Sequence, residues 1–143
     1  MIWESHYWKD PLLKSADYLQ RIRLSDRTSE RTFARIEKEL FLGFYAIRKL
    51  LDTFSVSDRT KALQFSLTLH PAIRRVDYFN WHRLDKNYDL SVRKSENRDI
   101  RFLCNQFVHS YIFITNTSEK TNRLNGFFVA SDLERHSKCY FVE

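Results

Sequence analysis

Apolar positions recur along this chain with two different periods, and the change between them divides it into elements. Leu12, Ala16, Leu19 and Ile22 keep helical spacing. Asp10-Pro11 just ahead of them reads as a helix opening, a capping carboxylate followed by proline at the first helical position. Ser25 to Ser29 is a polar break. Phe33, Ile36, Leu40, Phe44, Ile47, Leu51 and Phe54 then follow at steps of three and four, which predicts an amphipathic helix over about 29–53, some 38 Å long. Gly43 sits beside that stripe, either to admit a second helix closely or as a tolerated surface glycine. After Ser55–Thr60 the period shortens. Leu63, Phe65, Leu67 and Leu69 alternate with Gln64, Ser66 and Thr68, the pattern of a half-buried strand ending at His70-Pro71.

Residues 72–94 keep neither period. They mix Tyr78, Phe79, Trp81 and Tyr88 with Arg74, Arg75, Arg83 and Arg93. Such a mixture could stack nucleic-acid bases, and a second small core under a long loop accounts for it equally well. Ser95 reads as the cap of a further helix over about 95–110, with Glu96 and Asp99 placed against the positive end of its dipole. Tyr111–Thr115, Phe127–Ala130 and Ser137–Val142 read as strands, with a polar linker from Asn116 to Asn125. The pattern predicts an α+β fold in one domain, residues 1–143. Long amphipathic helices form its core, and the middle and C-terminal segments supply a small antiparallel sheet.

Composition narrows this only a little. At 143 residues, with 43% apolar and 15% aromatic residues, the chain has ample core material, and two glycines and two prolines argue against a turn-dense all-β protein. A surplus of 24 basic over 18 acidic residues, a net +6, permits nucleic-acid binding without demanding it. The arginines at 21, 23, 27, 31 and 35 could make a basic edge, but Asp17, Asp26, Glu30 and Glu37 dilute it into an ordinary solvated face. No apolar run reaches the roughly 20 residues of a membrane span, and the N-terminus carries no signal-peptide pattern. A soluble cytoplasmic protein without membrane contact is expected. Cys104 and Cys139 make no disulfide framework, and the five histidines share no metal-ligand spacing. Neither a metal nor another cofactor is expected.

The chemistry concentrates in Arg98-Asp99-Ile100-Arg101-Phe102-Leu103-Cys104-Asn105-Gln106-Phe107-Val108-His109-Ser110-Tyr111. At about 100° per residue, Ile100, Leu103, Cys104, Phe107, Val108 and Tyr111 fall on one apolar arc. Arg98, Arg101, Asn105 and His109 fall on a narrower second arc, with Phe102 at its border. Guanidinium groups fork onto phosphate oxygens, and imidazole exchanges protons near pH 7. An anionic substrate, RNA above all, would suit that arc. Solvated helix charges and a core or interface histidine are the plainer reading. Cys104 as a nucleophile paired with His109 is geometrically poor, since the two lie about 140° apart around a helix. A small buried hydrophobe describes it better.

The segment Cys104-Asn105-Gln106-Phe107-Val108-His109-Ser110-Tyr111 resembles the motif of the HEPN superfamily. In that motif, arginine and a polar residue precede a histidine that is followed by a small residue and an aromatic. Asn105 and His109 match the polar residue and the histidine, while Cys104 stands where the arginine belongs. Together with the long helix before it, the resemblance covers about residues 28–55 and 95–112. It implies a helical core and, in active members, a metal-independent ribonuclease formed where two motif helices meet in a dimer. There the histidine transfers a proton and the arginine stabilises the phosphorane.

Two functions follow as expectations. The first is a HEPN-like accessory or interaction protein with a degenerate site at His109, Asn105 and Arg101, and RNA-binding groups at Arg98, Arg101 and Phe102. It would dimerise or take a protein partner through the motif helix and the apolar C-terminal strands, in a defence or toxin–antitoxin type of module. The second is a toxin-like, metal-independent endoribonuclease in which His109 works with Arg101 or Arg98.

Overall fold

The computed structural model describes residues 2–143. Its elements are α1 (His6–Arg21), α2 (Glu30–Leu50), α3 (Asp58–Lys61), β1 (Gln64–Pro71), α4 (Leu84–Asn87), β2 (Lys94–Asp99), α5 (Ile100–Val108), β3 (Ser110–Thr117), β4 (Leu124–Ser131) and β5 (Lys138–Val142). The five strands form one antiparallel sheet in the order β2-β1-β5-β4-β3. The fold is α+β, with a larger sheet than the periodicity suggested.

That order explains α5. The chain leaves β2 at one edge and enters β3 at the other, about 19 Å away at the usual strand spacing. The nine residues of α5 cover about 14 Å of that crossing. The helix therefore lies across one face of the sheet and must bury the side turned toward it.

Both faces are covered. Leu67, Val129 and Tyr140 meet Leu103 and Phe107 of α5 on one face, with Phe41 and Phe44 of α2 behind them. Ile112, Ala130 and Cys139 on the other face meet Val76 and Tyr88. This double burial is why Phe127-Phe128-Val129-Ala130 is a continuous apolar run rather than an alternating one. The 72–94 segment is thus the second core under a loop. Asn87 pins it, accepting from Arg74 Nε at 2.8 Å and donating to the Asn80 carbonyl at 2.7 Å. Tyr88 donates its hydroxyl to the Arg135 carbonyl at 2.8 Å. Tyr78 and Phe79 remain exposed.

Several boundaries differ from the sequence reading. The last helix begins at Ile100, not at Ser95, because Lys94–Asp99 pairs as a strand with Gln64–Leu69. The Ser95 hydroxyl meets Ser66 across that ladder at 3.0 Å instead of capping a helix. Asp99 is the cap, accepting from the Phe102 N–H at 2.8 Å. Tertiary pairing overrides a locally good cap. Likewise α1 begins at His6, so Pro11 lies inside it. The carbonyl that Pro11 leaves unpaired belongs to exposed Tyr7, where water can take up the bond. The α2 helix agrees closely with its period, opening at Ser29, whose side chain accepts from Thr32 N–H. Gly43 does admit a second helix, since a Cβ there would touch Leu12 of α1 at 3.5 Å.

Candidate functional site: an arginine–amide–imidazole cleft

The orientation of α5 is set by its buried residues. Leu103, Cys104 and Phe107 are buried, and the Phe107 ring stacks on Phe44 of α2 with centroids 4.0 Å apart and planes 7° apart. This leaves Arg101 and Asn105, one turn apart, turned toward the C-terminal half of α2. His109 follows as the C-cap, exposed, with its N–H donating to the Asn105 carbonyl at 3.1 Å.

The residue that completes this edge comes from α2. Arg48 donates from Nε to Asn105 Oδ1 at 3.3 Å and from Nη1 to both oxygens of Asp52, at 3.2 and 3.0 Å. Arg101 Nη2 donates to Asp52 Oδ1 at 3.0 Å. Asn105, Arg48, Asp52 and Arg101 therefore form a continuous chain between the two helices. The Arg101 hydrogen bond, chiefly, holds the Asp52 carboxyl below its ordinary value; desolvation opposes it, and the Arg48 and Arg101 charges add to the lowering.

Arg48, Asn105 and His109 line one open cleft of about 600 Å³, with Phe102 and Gln106 of α5 and Ser131–Glu134 opposite. Gln106 Oε1 accepts the Ser131 N–H at 3.0 Å, and the His109 carbonyl accepts the Asp132 N–H at 2.9 Å. These bonds fix the end of β4 against the end of α5. Glu134 of the cleft wall joins a charged cluster on the neighbouring strands. Arg98 pairs with Glu96, Glu96 accepts the Tyr140 hydroxyl at 2.8 Å, and Lys138 lies 3.6 Å from both Glu96 and Glu134. Burial tends to raise the Glu96 carboxyl, but the Tyr140 hydrogen bond with the Lys138 and Arg98 charges outweighs it and leaves it lowered.

The expected residues are only partly brought together. Asn105 and His109 share the cleft. Arg101 turns to Asp52 and is not part of the lining. Arg98 is on β2 rather than on the helical arc, because residues 94–99 are a strand. It still reaches the site, its guanidinium lying 4.4 Å over the Phe102 ring. Cys104 is fully buried, and burial pushes its thiol up to about 12, so it stays neutral. Of the apolar arc, Leu103, Cys104 and Phe107 are buried inside the chain and Ile100, Val108 and Tyr111 partly so. On the C-terminal strands Ile112, Val129, Ala130, Cys139 and Tyr140 are buried, while Phe128, Phe141 and Val142 are only partly so.

Arg48 and Asp52 were missed by the sequence reading. A signal existed: Arg48 falls at i+4 from Phe44 and Asp52 at i+4 from Arg48, on the arc of α2 that must face another helix. Among the described residues, no three His, Cys, Asp or Glu side chains gather as metal ligands would, and no helix is long and apolar enough to cross a membrane.

Fold and site together define the class: an α+β protein with a doubly covered antiparallel sheet and a cleft of guanidinium, amide and imidazole at the end of its crossing helix. No protein-family model matches the chain, and neither a curated protein nor a solved structure matches it at a significant level.

Proposed function

We propose that this protein is a HEPN-like accessory module that holds an RNA phosphate in the Arg48–Asn105–His109 cleft without cleaving the chain. The observation that carries the reading is the placement of Arg48. Its guanidinium stands against the amide of the motif, supplying from α2 the positive group that Cys104 cannot. The charge balance supports one phosphate and not many. Around the cleft the five cations Arg48, Arg98, Arg101, Arg135 and Lys138 face the four carboxylates of Asp52, Glu96, Asp132 and Glu134, with Arg48 and Arg101 sharing Asp52, which leaves one net positive charge. Cleavage asks for more. A phosphorane needs a guanidinium free to take up developing charge, and Arg48 spends Nη1 on Asp52. The four carboxylates around the same cleft oppose further negative charge.

The test is fluorescence anisotropy with a labelled single-stranded RNA, in EDTA, over a salt series, with product gels run in parallel. We expect weak binding with a log–log salt slope of about −0.7, one phosphate's worth. Arg48→Ala should reduce it roughly tenfold, and no products should appear. Absence of binding, or binding indifferent to Arg48→Ala, would sink the reading. Robust cleavage lost in both His109→Ala and Arg48→Ala would replace it with the endoribonuclease. The specific observation favouring that alternative is that His109 and an arginine line one cleft.

A further inference from the structure

Helix α1 is anomalous. It is amphipathic and 16 residues long, yet none of its residues is buried. Its last turns do join a core, where Tyr18, Leu19 and Ile22 pack on Leu24, Ile36 and Leu40. The first half belongs to no core cluster. It is held by Ser15, which donates to Glu39, by Lys9 Nζ on the Ser55 carbonyl at 3.1 Å, and by Leu12 against Gly43. The result is an open seam between α1 and α2, in which Tyr7 is 70%, Leu42 58%, Tyr45 46% and Trp8 38% exposed.

The seam is continuous. Three hollows of about 600, 380 and 310 Å³ follow one another along it; the first two share Glu39 and Leu42, and the last two share Trp8 and Tyr45. From Arg31 to Lys49 the groove follows α2 for about five turns, some 27 Å. Its middle hollow is aromatic and aliphatic, with Glu39 the one charged residue in its wall.

Charge decides what fits. The two carboxylates along the groove are already engaged, Glu39 with Arg35 at 3.7 Å and Asp52 with Arg48 and Arg101 at 3.0 Å. Among the described residues Arg31, Lys38 and Lys49 of the same groove have no carboxylate partner. An apolar floor thus lies between unspent cations. A second copy of this chain in two-fold apposition would bring those same cations together. A flat anionic lipid surface would leave the hollows unfilled. An amphipathic helix fills a groove of this length with its apolar ridge and can set carboxylates beside the cations.

We propose that the α1–α2 groove is a docking site for an acidic amphipathic helix of about 18 residues from a protein partner. The site is separate from the phosphate cleft and adjoins it only through Asp52, which lines the last hollow and holds Arg48. Leu, Phe or Trp side chains of the ligand at i, i+3, i+4 and i+7 would fill the hollows over Gly43 and beside Trp8. Glu or Asp on its flanks would meet Arg31 and Lys38 at one end and Lys49 at the other.

Two synthetic helical peptides of about 18 residues test this. Both carry a Leu/Phe ridge, and they differ only in having glutamate or lysine on the flanks. Each is titrated into the full chain while amide and Trp8 indole resonances are followed by NMR. The glutamate peptide should shift Trp8, Leu42 and Tyr45 and bind at least about tenfold tighter than the lysine peptide. Leu42→Asp, at an exposed position that the fold tolerates, should weaken it about tenfold or more. The Lys38→Glu, Lys49→Glu double variant should reverse the preference between the peptides. Equal binding of both peptides, binding of neither, or indifference to Leu42→Asp would overturn the proposal. A concentration-dependent dimer dissolved by Leu42→Asp would assign the groove to a second copy instead. Tighter binding to phosphatidylglycerol vesicles than to the glutamate peptide would assign it to a lipid surface. RNA binding in the Leu42→Asp protein should equal wild type, which separates this result from the fate of the phosphate cleft.

Discussion

Cys104 is buried in the apolar arc of α5 while Arg48 reaches the neighbouring Asn105 from α2; on the proposed reading the two share the place of one arginine. Cys104 lies in the apolar arc because nine residues of helix cross the sheet at that point, and a charged side chain there would be unpaired in the core. Arg48 reaches the same neighbourhood from α2, with its stem against the core and its head on Asn105. The thiol offers a direct check. Its folded value, near 12, lies above its ordinary 9.0, so the neutral thiol is the form that the fold favours. The stability it contributes is complete below pH 9 and declines as pH rises from 9 toward 12. Native protein at pH 8 should therefore resist a maleimide at Cys104, and equally at buried Cys139, until denaturant is added. Prompt labelling of the folded protein, read by mass, would mean that the motif position is open.

At the scale of elements, the junction of α2 and α5 is the critical one, because it carries both the core contact and the site. Phe44 and Phe107 stack face to face, and Phe113 and Phe127 meet Phe107 edge-on at centroid distances of 6.2 and 6.4 Å. Phe107→Ala should cost about 3–5 kcal/mol in urea unfolding. In a double-mutant cycle with Phe44→Ala, the two should couple by about 0.5–1.5 kcal/mol. Additive losses would show that the helices are held apart from one another, by the sheet alone. The existence of this pairing was legible in the period of α2 and in the apolar arc of α5. The start of α5 was not. A serine with an acidic residue after it is a good local cap, and only the ladder partner Gln64–Leu69 turns residues 94–99 into a strand.

Over the whole molecule, acid should loosen the fold at two charged joints. Asp52 ties α2 to α5, and Glu96 ties β2 to β5 through Tyr140 and Lys138. Both carboxyls are lowered in the folded state. Their contribution is therefore present above the ordinary carboxylate range and is lost as pH falls through their folded values. Urea midpoints should decline between about pH 5 and pH 3. Glu96→Gln should flatten that decline more than Asp52→Asn, because the Asp52 pairs are exposed and screened by water. The reverse order would show that the helix joint, not the sheet joint, carries the acid sensitivity.

What the sequence determined by itself was local. The period of 3.6 placed α2 and the period of 2 placed β1 to within a few residues, while β3, β4 and β5 were legible as short apolar runs, because a strand covered on both faces does not alternate. The Asn105–His109 pair and the burial of Cys104 also follow from spacing around a single helix. The tertiary structure alone decided the rest. It made 94–99 a strand, turned Arg101 to Asp52, moved Arg98 off the arc and delivered Arg48 to Asn105. Each of these depends on a partner at least 25 residues away in sequence, and the local pattern around each residue carries no record of that partner. The same holds for α1, whose pattern shows an apolar stripe but not that its first half stays uncovered.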